Sequence, residues 1–361
     1  MRPFRIGIVG YGFGRVHAEG YRQIPFYTDV GAPIELVGVA TSRPGTAEKA
    51  RVEGGFAFAT ADWRELVASP EVDIVHVCTP DHLHHPIASA ALAAGKHVYC
   101  EKPLACTVSE AEDLCARAKA AGRVAQIAFQ MRFGSAVQAA RRLIQEGALG
   151  DITSFRVSFL HSGYEDPDRP LTWRLDHTRA GGGVLYDLGS HAIDLIAYLV
   201  GRPQRVMGLT RTFIKERPVA AGNTRRVPVH VDDVALAMLE TESGAVGVLE
   251  ATRLATGLRR GPDITIYGTR GSVAFNGFTN HNELHLYLKA EKAPGLSGWE
   301  TINTGGRNPV PLNVAAQAHF LEAVRDGRAD AEPSFATGLQ VQRVLAAVQE
   351  SARSGEWVTV A

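Results

Sequence analysis

Short apolar runs alternate with polar, helix-compatible stretches through the first 130 residues. Residues 5–9 (RIGIV) are apolar enough for a strand buried on both faces, and a helical stretch follows through residues 17–24. Residues 34–40 (IELVGVA) predict a second strand and residues 56–59 a third, followed by the helical ADWRELVAS. Residues 73–78 (DIVHVC) predict a fourth, closed by Thr79-Pro80. The Ala-rich residues 86–94 read as a helix ending at Gly95, and residues 96–100 (KHVYC) as the fifth strand. A helix over 109–121, with Ser109 as N-cap and Gly122 as stop, leads to a sixth strand over 123–129. Six strand–helix alternations predict a doubly wound parallel sheet.

Beyond residue 130 the period changes. A helix over 135–146 precedes an extended run over 151–161 and a polar loop over 164–174. Gly181-Gly182-Gly183 introduces an apolar helix over 184–200. Alternating strands are then predicted over 204–214, 231–240, 245–252, 263–267, 272–275 and 284–288, with turn signals such as Ser243-Gly244 and Arg270-Gly271. Helices over 314–325 and 335–352 and a short strand over 357–360 close the chain. The fold class expected is α/β: an N-terminal Rossmann sheet over 1–130, then an α+β domain over 131–361 with a large open, mostly antiparallel sheet. The last helix is free to pack back on the first domain.

A chain of 361 residues exceeds what one hydrophobic core usually holds, in line with two domains. Lys+Arg and Asp+Glu both number 38, so the formal net charge is zero, which removes the basic footprint of a nucleic-acid binder. No run approaches the ~20 apolar residues that span a bilayer, and the opening MRPFRIGIVGYG enters a strand rather than a signal peptide. Cys78, Cys100, Cys106 and Cys115 form no C-x-x-C pair and read as reduced thiols. These features predict a soluble cytoplasmic protein.

The first strand runs into Gly10-Tyr11-Gly12-Phe13-Gly14-Arg15. Glycines there let the backbone turn tightly and approach a pyrophosphate seated on a helix N-terminus. The third glycine, Gly14, comes one residue earlier than in G-x-G-x-x-G. After the second strand stand Thr41, Ser42 and Arg43, with no carboxylate for a ribose 2′-hydroxyl. Ser42 and Arg43 suit a 2′-phosphate, so NAD or NADP is expected, with NADP favoured. Lys102 falls at the carboxyl end of the fifth strand, where open α/β sheets bind ligands. A lysine in such a crevice loses hydration and gains useful proton chemistry.

Several motifs now combine: the glycine loop, Thr79-Pro80 with His84, AGKHV over 94–98, Glu101-Lys102-Pro103, and GGGVLYDLGSH over 181–191 followed by Asp194. In these the chain resembles the glucose–fructose oxidoreductase / inositol dehydrogenase (Gfo/Idh/MocA) family over nearly its whole length. The resemblance implies a Rossmann domain, a second domain carrying the substrate face and oligomer contacts, and catalytic roles for Lys102, Asp187 and His191. It places Thr79, Pro80, His84 and Glu101 near the nicotinamide. A homodimer or homotetramer is expected on the same footing.

Asp187, His191, Asp194 and Tyr198 recur at i, i+4, i+7 and i+11, one stripe of an α-helix. By periodicity alone this is equally a polar stripe facing water; the resemblance turns it toward the nicotinamide. His191 suits a base for a hydroxyl proton, Asp187 an orienting carboxylate, and Lys102 a donor to the substrate oxygen. Gln130 and Arg132 follow the sixth strand and are expected at the crevice mouth. The loop over 164–176 mixes rings and charges as sugar recognition requires, which nominates Tyr164, Trp173, Arg174 and Asp176 for substrate.

His82, His84 and His85 beside Asp81 suggest a metal, but no Cys or carboxylate set at ligand spacing accompanies them, and hydride transfer needs none. No metal is therefore expected. The function predicted is NAD(P)-dependent hydride transfer at a secondary alcohol or ketone of a sugar, polyol or inositol-like substrate. Two alternatives are a cofactor-retaining glycoside-cleaving enzyme of the same family and a non-catalytic dinucleotide-binding sensor.

Overall fold

The computed structural model describes residues 2–258, 261–289, 298–306 and 309–361. They form two compact units, Met1–Gln130 with Val310–Gln342, and Met131–Pro309 with Arg343–Ala361.

In the first unit all six predicted strands form: β1 (Phe4–Val9), β2 (Ile34–Ala40), β3 (Phe58–Thr60), β4 (Ile74–Val77), β5 (His97–Cys100) and β6 (Ala125–Ile127). They make one parallel sheet in the order β3-β2-β1-β4-β5-β6. The chain reverses direction across the sheet between β1 and β4, which is where doubly wound folds bind ligands. β4 is buried at every position, as two covered faces require of a central strand. The connecting helices are α1 (Tyr11–Tyr27), α2 (Pro44–Gly54), α3 (Trp63–Ala68), α4 (His84–Ala93) and α5 (Val108–Ala121).

α5 is capped by Thr107, not Ser109. Thr107 accepts from Glu110 N at 3.2 Å while the Glu110 carboxylate accepts from Thr107 N at 3.1 Å. This reciprocal pair meets two orphan amides at once, so it wins over a lone serine two residues later. The helix stops at Gly122 in the left-handed region, as expected.

The second unit opens with α6 (Ser135–Gln145) and carries a nine-stranded sheet. Its strands are β7 (Ile152–Leu160), β8 (Pro203–Arg211), β11 (Val234–Thr241), β12 (Val246–Thr252), β13 (Asp263–Gly268), β14 (Gly271–Asn276), β15 (Glu283–Leu288), β16 (Glu300–Asn303) and β17 (Val358–Thr359). Their order is β16-β15-β14-β13-β7-β12-β11-β8-β17, and only β7 and β12 pair in parallel among the described residues. A short hairpin of β9 (Glu216–Pro218) and β10 (Arg226–Pro228) stands apart. This hairpin and β16 escape a reading by alternation, because they are short, polar and partly built from proline. Along β11, Ala235, Ala237 and Leu239 point into the core while Leu236 and Met238 face outward.

Two boundaries depart from expectation. α9 (Leu312–Arg325), expected within 131–361, belongs to the first unit, together with the start of α10 (Phe335–Ser354), the last helix, which was free to pack there. Val314, Ala318, Phe320 and Leu321 of α9 join the core formed by Tyr21, Ile24 and Tyr99. The Phe320 and Tyr99 rings meet edge-on at 5.0 Å. An amphipathic helix advertises an apolar face without saying which core it will cover. The helix expected over 184–200 is also not uniform: it opens with a π turn at Leu185–Gly189 before α8 (Ser190–Leu199). α7 (His177–Ala180) lies just upstream.

Candidate active site

In the first unit, β1 ends in Gly10, whose φ is 90° and whose added Cβ would stand 2.5 Å from the carbonyl oxygen of Cys78. Only glycine fits that turn. A Cβ at Gly12 would meet nothing within 4 Å, so the backbone there is open to a ligand. Gly14 answers a different need: its Cβ would collide with Ile8 at 2.8 Å, so it sets the close approach of α1 to β1. The early third glycine thus keeps the helix–strand packing role, and Arg15 points outward. No side chain caps the N-terminus of α1 and no acidic residue lies in its first turn. Uncapped amides, a positive helix end and an open glycine fit a pyrophosphate. Phe13 lies exposed on that turn.

Ser42 and Arg43 are exposed after β2, with Arg43 as N-cap of α2. Thr79 follows β4 with its hydroxyl buried and without a hydrogen-bond partner. His84 is buried with Nδ1 2.8 Å from Pro103 O and Nε2 3.0 Å from Thr79 O. Burial lowers its pKa despite the two carbonyls, and the neutral ring can donate to only one of them. The ring therefore braces Pro80 and Pro103 from behind and is unavailable to a metal. His85 Nε2 is likewise taken, 2.7 Å from Asp113. Glu101 is buried: its Oε1 accepts from His17 Nε2 at 2.7 Å and its Oε2 from Lys102 N at 3.1 Å. That clamp fixes the backbone carrying the half-buried Lys102. Gln130, buried at the end of this segment, leaves its side-chain oxygen without a partner.

In the second unit the glycine run is held by Asp232. Its Oδ1 accepts from Gly183 N and its Oδ2 from Leu185 N, both at 2.8 Å, while its carbonyl accepts from Val184 N at 2.9 Å. A Cβ on Gly183 would overlap the Asp232 backbone. Burial raises the Asp232 pKa, opposed by those amides and by Arg253. This grip anchors the π turn that carries Asp187 and leads to the buried His191. Arg174 Nε lies 4.0 Å from Asp187 Oδ1, and its guanidinium stacks 4.3 Å from the Trp173 ring. Three residues nominated from sequence, Trp173, Arg174 and Asp187, therefore sit together.

Others are placed differently. Arg132 closes on the buried Asp194, with Nε at 2.9 Å and Nη2 at 2.6 Å, and lies 4.6 Å over the Tyr198 ring. Tyr198 itself takes a bond from Gln138 of α6. Hence Asp194 ties α8 to the turn before α6 and Tyr198 ties it to α6 itself, and the stripe expected to face the nicotinamide divides after His191. The π turn shifts the register, and a buried carboxylate needs its cation. Tyr164 is buried with Leu175, Val229 and Val231, its ring covered by Arg169 at 4.0 Å and Arg253 at 4.6 Å. It anchors the loop from within. Asp176 caps α7 by accepting from Thr178 N at 3.0 Å. Two structural residues escaped the sequence reading, His17 and Asp232. An acidic pair just before an apolar strand, Asp232-Asp233, is the signal that marks the second.

A glycine turn on an uncapped helix at the switch point of a doubly wound sheet fits a bound dinucleotide. The family models agree: residues 4–129 match an oxidoreductase family with an NAD-binding Rossmann fold, and residues 137–274 match the GFO/IDH/MocA C-terminal domain. The chain belongs to the Gfo/Idh/MocA family of NAD(P)-dependent oxidoreductases. It is 36% identical to levoglucosan dehydrogenase of Pseudarthrobacter phenanthrenivorans, over 100% of this chain and 99% of that protein. It is 27% identical to myo-inositol 2-dehydrogenase of Thermotoga maritima, over 74% of each. A solved structure of levoglucosan dehydrogenase in complex with NADH superposes with a TM-score of 0.94, covering 100% of both chains at 36% identity. A structure of aldose-aldose oxidoreductase from Caulobacter crescentus has a TM-score of 0.81 at 25% identity, over 99% of this chain and 100% of that one.

Proposed function

We propose that the chain oxidises a secondary alcohol of a cyclic sugar or polyol, an anhydro-sugar first among them, and reduces the ketone in reverse. The end-to-end likeness to a levoglucosan dehydrogenase carries this reading. When bound, the nicotinamide supplies hydride acceptance and return. Gly10, Gly12, Phe13 and Gly14 would hold the pyrophosphate, Ser42 and Arg43 the adenosine ribose, and Thr79, Pro80, His84, Glu101 and Gln130 the nicotinamide end.

The chain's own residues handle the proton and the substrate. His191 takes the hydroxyl proton at a ring nitrogen, since imidazole titrates near working pH. Asp187, steadied by Arg174, favours the resulting imidazolium. Lys102 donates to a substrate oxygen and stabilises developing alkoxide charge, and the clamp from Glu101 to its amide keeps it in place. Trp173 offers a ring face to an apolar sugar face. The four unbridged cysteines support a cytoplasmic setting, and no described helix is long and apolar enough to cross a membrane.

Absorbance of the reduced nicotinamide, followed with levoglucosan, inositols and aldoses against each cofactor, tests the proposal. Free reduced cofactor should accumulate with at least one cyclic alcohol. His191→Asn and Lys102→Met should each lower kcat about 10²–10⁴-fold while melting as the wild type does. Full activity in either variant refutes the role assigned to that residue. No reduced cofactor with any of these alcohols refutes the substrate class.

A further inference from the structure

Beneath the glycine loop the first unit buries a group of polar side chains that hydride transfer does not use. His76 lies within β4 and Cys78 follows two residues later, so strand alternation sends both to one face. α1 packs over that face, with an added Cβ at Gly14 standing 3.6 Å from Cys78 Sγ. His17 descends from α1, its ring centroid 4.3 Å from that of His76. One ligand atom from each of His17, His76 and Cys78 lies within 4.8 Å of the others, and all three residues are buried.

His76 is the anomaly. It is fully buried, and neither ring nitrogen has a hydrogen-bond partner. Its other neighbours are the aromatic rings of Tyr99 at 4.7 Å and Tyr21 at 5.6 Å. A valine or phenylalanine would fill that space without stranding two polar atoms, so a buried unbonded imidazole calls for a partner.

The geometry points to a structural site for one divalent cation of the zinc class, held by His17, His76 and Cys78. Glu101 Oε1 lies 2.7 Å from His17 Nε2 and is the carboxylate that fixes this ring, whose Nδ1 lies 3.3 Å from Gln317 Nε2. Three atoms no more than 4.8 Å apart share a centre at most about 2.8 Å from each, and shifts of about half an ångström for the sulfur and about three-quarters of an ångström for each nitrogen reach zinc bond lengths. Two imidazoles and a thiolate suit zinc, and the same donor set also takes copper. The charges also close: the thiol of Cys78 gives up its proton to solvent, and thiolate plus carboxylate balance the cation without any electron transfer. Such a centre would pin α1, β4 and the segment after β5 together directly under the cofactor loop. Because the site is sealed, the metal would enter during folding.

The protein is therefore produced in zinc-supplemented cells, purified without chelators and assayed for bound metal, then produced again with cobalt for absorption spectroscopy. The wild type should hold about one equivalent and show a thiolate-to-cobalt band, while Cys78→Ser and His76→Phe retain under about a tenth of it. The wild type should also melt higher after zinc-supplemented than after metal-depleted refolding, and the variants should not. Metal-free wild type, or cobalt retained equally by both variants, overturns the site. Should His76→Phe fail to fold, the near-isosteric Cys78→Ser decides alone.

Discussion

Arg43 stands exposed after β2 where no carboxylate follows the strand. A guanidinium there attracts a 2′-phosphate, and the missing acid removes the usual partner of a ribose 2′-hydroxyl. Arg43→Ala should raise the KM for NADP roughly tenfold and leave that for NAD nearly unchanged. Equal effects on both cofactors would refute a role for Arg43 in choosing NADP. The place of this residue just after β2 was legible in sequence, because strand ends in a parallel sheet are read locally. Arg132 was not. Its place after β6 predicted the crevice mouth, yet the carboxylate that claims it lies 62 residues downstream.

The element that presents Asp187 and His191 depends on a residue outside it. Asp232→Ala would leave the amides of Gly183 and Leu185 buried without acceptors, at about 1–3 kcal/mol each. The expected outcome is a lower melting temperature together with a fall in kcat larger than any change in KM, since the π turn loses its anchor. Asp232→Asn, which keeps one acceptor, should recover part of both. A variant that loses stability but keeps kcat would make Asp232 a fold residue only. Sequence periodicity found the helix and the glycines but not the π turn, because one extra residue per turn leaves the apolar pattern nearly intact. Thr107 shows the reverse case: the T-x-x-E signal was present in the local sequence, and Ser109 was simply the weaker reading of it.

At the scale of the molecule, burial gives the first unit an acid weakness. His76, His84, His97 and His319 all lie in it with pKa values lowered first by desolvation, His97 from 6.5 to about 4. Each is neutral when folded and gains its proton on unfolding, so stability is whole above about pH 6.5 and falls as pH drops toward 4. For His97 alone the full loss is on the order of 3 kcal/mol. Melting temperature measured from pH 7.5 to 4.5 should decline steadily; a flat profile would contradict these burials. The second unit carries an outward apolar face on its sheet, where Leu209 pairs with Leu236, and Met238 with Met207 and Val248. A face of this kind suits a second copy of the chain. A dimer or tetramer built on this face should be lost in Met238→Lys with Val248→Glu, read as sedimentation at the monomer's rate; a wild type that already sediments as a monomer, or a variant with an unchanged oligomer, refutes this interface.

The six strands of the first sheet, their helices, the glycine turn and the lysine after β5 were all decided within short stretches of sequence. Each depends on local hydrophobic period, on a glycine that no other residue replaces, or on a strand end. Tertiary structure alone decided that α9 covers the first core and that Asp232 grips the glycine run. It likewise decided that Arg132 neutralises Asp194, and that His17, His76 and Cys78 converge under the cofactor loop. Those outcomes join residues tens or hundreds of positions apart, and a burial cost or an ion pair between distant residues leaves no period along the chain to read.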